Sequence, residues 1–369
     1  MSAAGHHPRR IGASDAAALV EVAAPTGLRR RRAWMTVAVL FGIGVLAFVV
    51  TRSDLRQLRE TARGVVPTLL LLPAIATIGS YCTMARSYQG IAAAAGYPIS
   101  FGDMLRITIV ANTANYLVAA GGLSGFALRM YLFIRRGLPA GSAVLVSLVQ
   151  TLLTNLTLLV FVIAGFVLLL VSHVLVGRDL FVAAVLLGAF SVGVLLTTLL
   201  IVRRGWRRRF LFSATVLLHR GWRRVARRRA PRRLALLRFQ RNLNAGLDFL
   251  LDRPHEMLAP TAYILLDWAF TLLVLYAAFV AIGHPVQMSY VIAGFAIGMF
   301  VSIVSLVPAG LGVLEGSMAA VFASLDVPLE RAVIAVLIFR AAYYGLPLLA
   351  SLVLARSTLR SLSARGPAS

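Results

Sequence analysis

The chain has 369 residues, 59% of them hydrophobic, and a mean hydropathy of +0.85. This composition excludes an ordinary soluble domain and predicts an all-α polytopic membrane protein, because several apolar runs exceed the roughly 18 residues that mark a membrane-spanning helix. The net charge of +24 comes from arginine alone, and arginine beside hydrophobic spans is typical of cytoplasmic loops rather than of nucleic-acid binding. Cys82 stands alone, which excludes a disulfide framework and a cysteine-based metal site.

The chain begins with a tail, residues 1–32, that has no apolar core of signal-peptide length and is predicted to be disordered. Arg29 to Arg32 place the end of this tail in the cytoplasm by the positive-inside rule. A first span is predicted at 33–50 and a second at roughly 65–84. The leucine spacing of the loop between them indicates a short interfacial helix.

The next segment, 104–134, is apolar but contains two asparagines and a glycine-rich break before an arginine. These residues are Asn112, Asn115, Gly121, Gly122 and Arg129. A single crossing would place the following Arg135 and Arg136 outside, whereas a re-entrant hairpin or two half-helices keep them inside. We therefore predict a broken hairpin here, followed by a long span at 141–172.

A short external turn and a span at 180–202 lead into the loop 203–257, which holds fifteen arginines and no acidic residue between Arg203 and Arg241. Such a loop must be cytoplasmic. Its aromatic and leucine residues alternate with arginine near helical spacing, which predicts an amphipathic helix lying on anionic lipid. The residues assigned to this membrane surface are Trp206, Arg207, Arg208, Arg209, Trp222, Arg223 and Arg224.

A second broken segment, 287–325, follows a span at 258–282. Its break consists of Pro308, Gly310 and Gly312, with Glu315 just beyond. Non-helical backbone at membrane depth is tolerated only where it faces protein or a watery cavity, so the break indicates a site. The last span is predicted at 333–355, and the tail 356–369 is expected in the cytoplasm because it carries arginine.

The predicted elements form two membrane halves, 33–172 and 173–355, that share the order span, span, broken hairpin, span. The first half begins inside and ends outside, and the second does the reverse. The predicted fold is therefore an inverted-topology repeat with about six full spans and two broken or re-entrant hairpins, or about eight spans if each hairpin is counted. In secondary transporters such broken helices meet near the midplane, so the hairpin tips are expected to approach each other.

Charged side chains at membrane depth usually pair, line a cavity or serve a function. Arg129 could snorkel to the interface, but the glycines before it leave backbone N–H groups for an anionic headgroup, which favours a functional role. Glu315 could equally cap a half-helix, Arg340 has no acidic neighbour in sequence, and Asp267 could pair with Arg340. The asparagines are typical of hydrogen bonds between helices as well as of binding sites.

The sequence LVPAGLGVLEG, followed by a span containing FRAAYYGLP, resembles a signature of the lysylphosphatidylglycerol synthase transmembrane-region family, also called flippase-like. NYLVAAGGLSGFALR resembles the first motif of that family, and the resemblance covers roughly residues 33–355. It implies functional positions at Asn115, Gly121, Gly122, Arg129, Pro308, Gly310, Gly312, Glu315 and Arg340. The chain departs from the pattern in three ways: Ala309 replaces a glycine, no proline precedes Gly121, and Gln150 stands where many members have arginine.

Three functions are weighed on these residues. The first is a translocator in the cytoplasmic membrane that moves an anionic or phosphate-bearing lipid, with Arg129 and Arg340 holding the phosphate and Glu315 gating or coupling to protons. The second is a membrane partner of a lipid-biosynthetic enzyme, and the third, a transferase on lipid-linked substrates, lacks an acid pair or a metal-binding motif in the sequence. No cofactor and no metal are expected. Longer family members carry an aminoacyltransferase domain, whereas fourteen residues follow Ala355 here, so aminoacylation is not expected.

Overall fold

The computed structural model describes residues 54–117, 123–171, 177–225, 233–305 and 310–354, together with residues 44, 51 and 307. Within these ranges all regular secondary structure is helical, which confirms the predicted all-α class. The α-helices are α1 (Leu55–Arg63), α2 (Leu71–Ala94), α3 (Phe101–Leu117), α4 (Leu123–Arg135), α5 (Ala140–Val171), α6 (Gly177–Val202), α7 (Arg204–Val225), α8 (Arg233–Leu251), α9 (Leu258–Ala281), α10 (Met288–Ser305), α11 (Val313–Ser324) and α12 (Leu329–Arg340). The predicted first span at 33–50 and both tails lie outside the described residues.

Five helical segments among the described residues are long and apolar enough to cross a membrane. They are Pro67–Ala94, Ala140–Val171, Pro254–Ala281, Met288–Ser305 and Leu329–Leu354. A sixth is obtained if the end of α6 and the start of α7, which meet at 94°, are counted as one broken span. The chain is thus a polytopic membrane protein, while the number of spans stays a prediction.

Both predicted hairpins are present as pairs of helices separated by a break. The first consists of α3 and α4, and residues 118–122 between them lie outside the described ranges. The second consists of α10 and α11, separated by Gly310 and its neighbours. Since α10 alone has the length of a span, the choice between a re-entrant and a fully crossing hairpin stays open.

The elements α2 to α4 are followed by α5, and α9 to α11 by α12; the first three pairs have similar lengths, whereas α5 has 32 residues and α12 has 12 before its π-helical turn. Several residues recur at a spacing of 187 positions, namely Pro67 and Pro254, Pro73 and Pro260, Gly96 and Gly283, and Pro98 and Pro285. The prolines at 67 and 254 each begin a 3₁₀ turn before the following helix. Gly96 and Gly283 end α2 and α9 with positive φ angles of 86° and 69°, a conformation that glycine adopts without strain. The opposite orientation of the two halves across the membrane stays a prediction.

The equivalent helices α2 and α9 pack against each other along their lengths and form the centre of the fold. Glycine permits their close approach, because a Cβ atom on Gly79 would lie 2.7 Å from the Phe270 ring and one on Gly90 would lie 2.9 Å from Pro260. On one side, the first hairpin packs with α5 and α8 in one apolar cluster. On the other, the second hairpin packs with α9 and α12 in a second cluster. The two candidate hairpins therefore belong to different apolar clusters, which lie on either side of the contact between α2 and α9. This contact is called the seam below.

Arg207 does not lie on the predicted membrane surface. Its side chain is 3% exposed, Nε donates to Asn244 Oδ1 at 3.0 Å, and the other nitrogens bond the Ile201 carbonyl and Asp248. The surface assignment is corrected for this residue, because the 94° bend after α6 turns it towards α8. Arg208 and Arg209 are exposed, and their assignment to the membrane surface stays a prediction.

The outer face of α7 carries large apolar side chains. Trp206, Phe210 and Leu217 are spaced four and seven residues apart and are all more than half exposed. This spacing places them on one helical stripe, as an interfacial helix requires. The side chains of Trp222, Arg223 and Arg224 lie outside the described residues, so their surface assignment stays a prediction.

Replacing Arg207 by alanine is expected to lower the free energy of unfolding by about 1.5–3 kcal/mol, because it strands buried hydrogen-bond partners between α6 and α8. Arg208→Ala is the matched control, since Arg208 also contacts Asp248, at 3.3 Å, but its side chain is 63% exposed. An exposed pair of this kind contributes about 0–1 kcal/mol. Denaturant titration in detergent micelles measures the free energy of unfolding of both variants. Equal losses would show that the buried hydrogen bonds of Arg207 between α6 and α8 add no stability beyond that of an exposed ion pair.

Candidate functional site

Arg129 is a buried cation in the first hairpin. It lies about one and a half turns into α4, and the residue is 5% exposed. One terminal nitrogen donates to Asn112 Oδ1 on α3 at 2.6 Å, and the guanidinium lies 4.3 Å above the Tyr88 ring on α2. Its Nε is buried and has no hydrogen-bond partner among the described residues.

No carboxylate lies within ion-pair distance of Arg129 in the described part of the chain, although several surface arginines have one. Tyr88 and Asn112 orient the guanidinium plane but leave its charge uncompensated. An unpaired charge at membrane depth is costly and marks a binding site more often than a structural one. A planar guanidinium with a free donor is suited to a phosphate or carboxylate oxygen.

Asn115 has a structural contact. Its Oδ1 accepts a hydrogen bond from the Gly125 backbone N–H at 2.7 Å and so joins the end of α3 to the start of α4. A Cβ atom at position 125 would overlap the Ala111 carbonyl and Asn115 itself, so only glycine fits there. Asn115 thus ties the two helices together beside their connection, and Gly121 and Gly122 within that connection lie outside the described residues.

Glu315 and Arg340 form a buried ion pair in the second hairpin region. Arg340 Nε donates to Glu315 Oε1 at 2.6 Å, and both side chains are 10% exposed. Arg340 lies 4.3 Å above the Tyr344 ring, and a π-helical turn, Ala341–Gly345, follows it immediately. The second carboxylate oxygen of Glu315 is buried and has no partner among the described residues.

The pair changes the interpretation of Arg340. Arg340 was expected to hold a phosphate together with Arg129, but its charge is already compensated by Glu315. Asp267, the other possible partner of Arg340 in the sequence, accepts a hydrogen bond at Oδ1 from Ser80, on the neighbouring α2. Glu315 also lies in the first turn of α11, where the helix dipole favours a carboxylate, but the N-cap position is Gly312 and the Glu315 side chain makes no capping hydrogen bond among the described residues.

The break before α11 requires its glycines. Gly310 and Gly312 have φ angles of 61° and 76°, in the left-handed region that side chains with a Cβ disfavour. Pro308 lies outside the described residues. The hairpin tips therefore cannot be compared directly, and their predicted approach stays a prediction.

Sequence analysis missed the aromatic partners of the two arginines. Tyr344 lies four residues after Arg340, a spacing that places both on one helical face, so this contact could have been predicted from the sequence. The contact of Tyr88 with Arg129 could not have been predicted in this way, because the two residues belong to different helices. In the described residues no group of three or more His, Cys, Asp or Glu could hold a metal ion.

Comparison with protein families agrees with this architecture. The family model described as lysylphosphatidylglycerol synthase TM region matches residues 35–351, which include both hairpins and the seam between them. A search of curated proteins found no match.

Proposed function

Because the chain belongs to the lysylphosphatidylglycerol synthase TM region family, we propose that it is a lipid translocator that moves an anionic or phosphate-bearing lipid between the two leaflets. The observation that supports this proposal is Arg129, a cation that is 95% buried and lacks a carboxylate partner among the described residues. A protein tolerates such a charge when a ligand compensates it. The headgroup phosphate of a lipid has the required charge and geometry.

The two hairpins have different roles in this proposal. Arg129 binds the headgroup, with Tyr88 below it and Asn112 at its side. The Glu315–Arg340 pair, which is neutral as a unit, gates the path and opens when a headgroup competes for Arg340. Gly121, Gly122, Pro308, Gly310 and Gly312 supply the unwound backbone at the breaks, where free N–H groups would contact the lipid.

The basic loop places the protein in its membrane. We propose that the exposed stripe of α7 lies on the anionic cytoplasmic leaflet, with its arginines around the headgroups and both chain termini in the cytoplasm. Trp206 and Phe210 would enter the interface, where aromatic rings are favoured. The same surface would dock a lipid-biosynthetic enzyme if the protein were a membrane partner rather than a transporter.

Leaflet exchange of fluorescent lipids in proteoliposomes tests the function. Wild-type protein is expected to accelerate the exchange of anionic lipids, and Arg129→Gln is expected to abolish it, since the variant keeps hydrogen-bonding capacity but loses the charge. The matched control is Arg86→Gln, because Arg86 lies 4.2 Å above the Phe101 ring but is exposed. Arg86→Gln is expected to exchange lipid at the wild-type rate.

Other outcomes contradict parts of the proposal. Equal exchange by wild type and Arg129→Gln would remove Arg129 from the path. Equal loss in both arginine variants would point to a general effect of charge. Exchange no faster than in empty liposomes, for every lipid class tested, would favour the membrane-partner function.

A further inference from the structure

Ser80 and Asp267 occupy equivalent positions in the two halves, because they are 187 residues apart, the spacing that also relates the prolines and the capping glycines. Each is the tenth residue of its 24-residue helix, α2 or α9. The Ser80 hydroxyl donates a hydrogen bond to Asp267 Oδ1. The contact lies near the middle of the packed helices α2 and α9, and it is one that the predicted two-fold relation between the halves would produce beside its axis.

Asp267 is a carboxylate without a cation. The residue is 7% exposed, and among the described residues no arginine or histidine lies within 4.0 Å of it. The side chains packed around it are mainly tyrosines: Tyr81 and Tyr88 from α2, and Tyr343 from the π-helical turn that follows α12. The helices α5 and α10 contain no charged residue, and the charge of Arg340 is compensated by Glu315.

Hydroxyl groups connect Asp267 to Tyr343, and ring contacts continue from there to Arg340 of the ion pair. Ser80 Oγ lies 3.4 Å from Thr271 Oγ1, which in turn lies 3.4 Å from the Tyr343 hydroxyl. Tyr343 packs against Tyr344 with ring centroids 5.4 Å apart, and Tyr344 lies against Arg340. The polar seam therefore reaches from the centre of α2 and α9 to the π-helical turn of α12.

We propose that Asp267 is a proton-binding site that couples translocation to proton movement. The protonation itself follows from the geometry, and the coupling rests on the proposed function. A carboxylate buried without a cation is too costly to stay ionised, so it takes a proton from water and becomes neutral. Ser80 still donates to Oδ1 of the neutral acid, and the seam between α2 and α9 stays dry and closed. Release of the proton restores the charge, which favours a state in which the halves separate and water reaches the carboxylate.

Infrared difference spectroscopy tests protonation without any transport assay. Wild-type protein near neutral pH is expected to show the C=O stretching band of a buried protonated carboxylic acid. This band should be lost in Asp267→Asn, which replaces the neutral acid by a group of the same shape. Glu60→Gln is the control and should retain the band, because the Glu60 side chain is 62% exposed. A band unchanged in Asp267→Asn, or absent from wild type, would overturn the proposal.

A second measurement tests coupling. In proteoliposomes, lipid exchange by wild type is expected to respond to an imposed pH gradient, and exchange by Asp267→Asn is expected to be independent of it. A response retained in the variant would overturn coupling through Asp267. Dependence of exchange on sodium at constant pH would overturn the choice of the proton as the ion. Should no lipid exchange, the infrared result still decides the protonation of Asp267 on its own.

Discussion

Replacing Arg340 by alanine is expected to lower the free energy of unfolding by about 3–5 kcal/mol, the effect of breaking a buried ion pair by removing one partner. The remaining Glu315 side chain is 10% exposed and would carry a charge with neither a cation nor water around it. Its second oxygen already lacks a partner in the described part of the chain, so no neighbour replaces the lost arginine. Denaturant titration in detergent micelles, followed by tryptophan fluorescence, measures the loss.

A double-mutant cycle separates the pair from its two members. Glu315→Gln combined with Arg340→Met removes both charges while keeping the shapes, and the double variant is expected to be more stable than Arg340→Met alone. Arg129→Met provides the contrast. No carboxylate of the described residues pairs with Arg129, so its removal is expected to change the free energy of unfolding by less than about 1 kcal/mol or to raise it. Strict additivity of the two changes in the cycle would contradict the ion pair between Glu315 and Arg340. A large loss of unfolding free energy in Arg129→Met would contradict the view that Arg129 does not stabilise the fold.

The sequence allowed the helices and breaks to be predicted because both depend on local properties. A long apolar run determines a span, and the Pro308 to Gly312 stretch determines a break since its residues cannot continue a helix. The span predicted at 258–282, for example, corresponds to α9 (Leu258–Ala281). The same local logic explains why the glycines of the second break have positive φ angles.

The pairing of charges could not be predicted, because it depends on distances between helices. Arg340 has two candidate acidic partners at membrane depth, and sequence spacing does not distinguish Glu315 from Asp267. The choice follows from the packing of α11 against α12, while α9 presents Asp267 to α2 instead. Arg207 illustrates the same limit: its helical position indicates a lipid-facing surface, but the bend after α6 buries it against α8.

The two predicted halves can also be aligned residue by residue, and the sequence analysis compared only the order of their elements. Paired prolines and glycines at a constant spacing of 187 residues fix the register of the two halves, and this register identifies Ser80 as the counterpart of Asp267. The two predicted halves differ in chemistry: Arg129 in the first hairpin has no carboxylate partner among the described residues, whereas Glu315 and Arg340 near the second form an ion pair. Such asymmetry suits a transporter in which one half binds the headgroup and the other controls access.

Replacing Gly310 by alanine is expected to lower the free energy of unfolding by about 2–5 kcal/mol, from two separable causes. The left-handed backbone, with φ of 61°, disfavours any residue with a Cβ by about 1–2 kcal/mol. In addition, the new Cβ would overlap the Ser302 hydroxyl on α10.

Two further variants separate these causes. Gly137→Ala isolates the backbone effect, because Gly137 has φ of 91° and nothing lies within 4 Å of its added Cβ, so a loss of about 1–2 kcal/mol is expected. Combining Gly310→Ala with Ser302→Ala removes the overlapping oxygen and should bring the loss down towards the Gly137→Ala value. A double variant as unstable as Gly310→Ala would show that Ser302 does not restrict the break. Equal losses for Gly310→Ala and Gly137→Ala would show that backbone conformation alone requires glycine there, and that α10 leaves the break room to move.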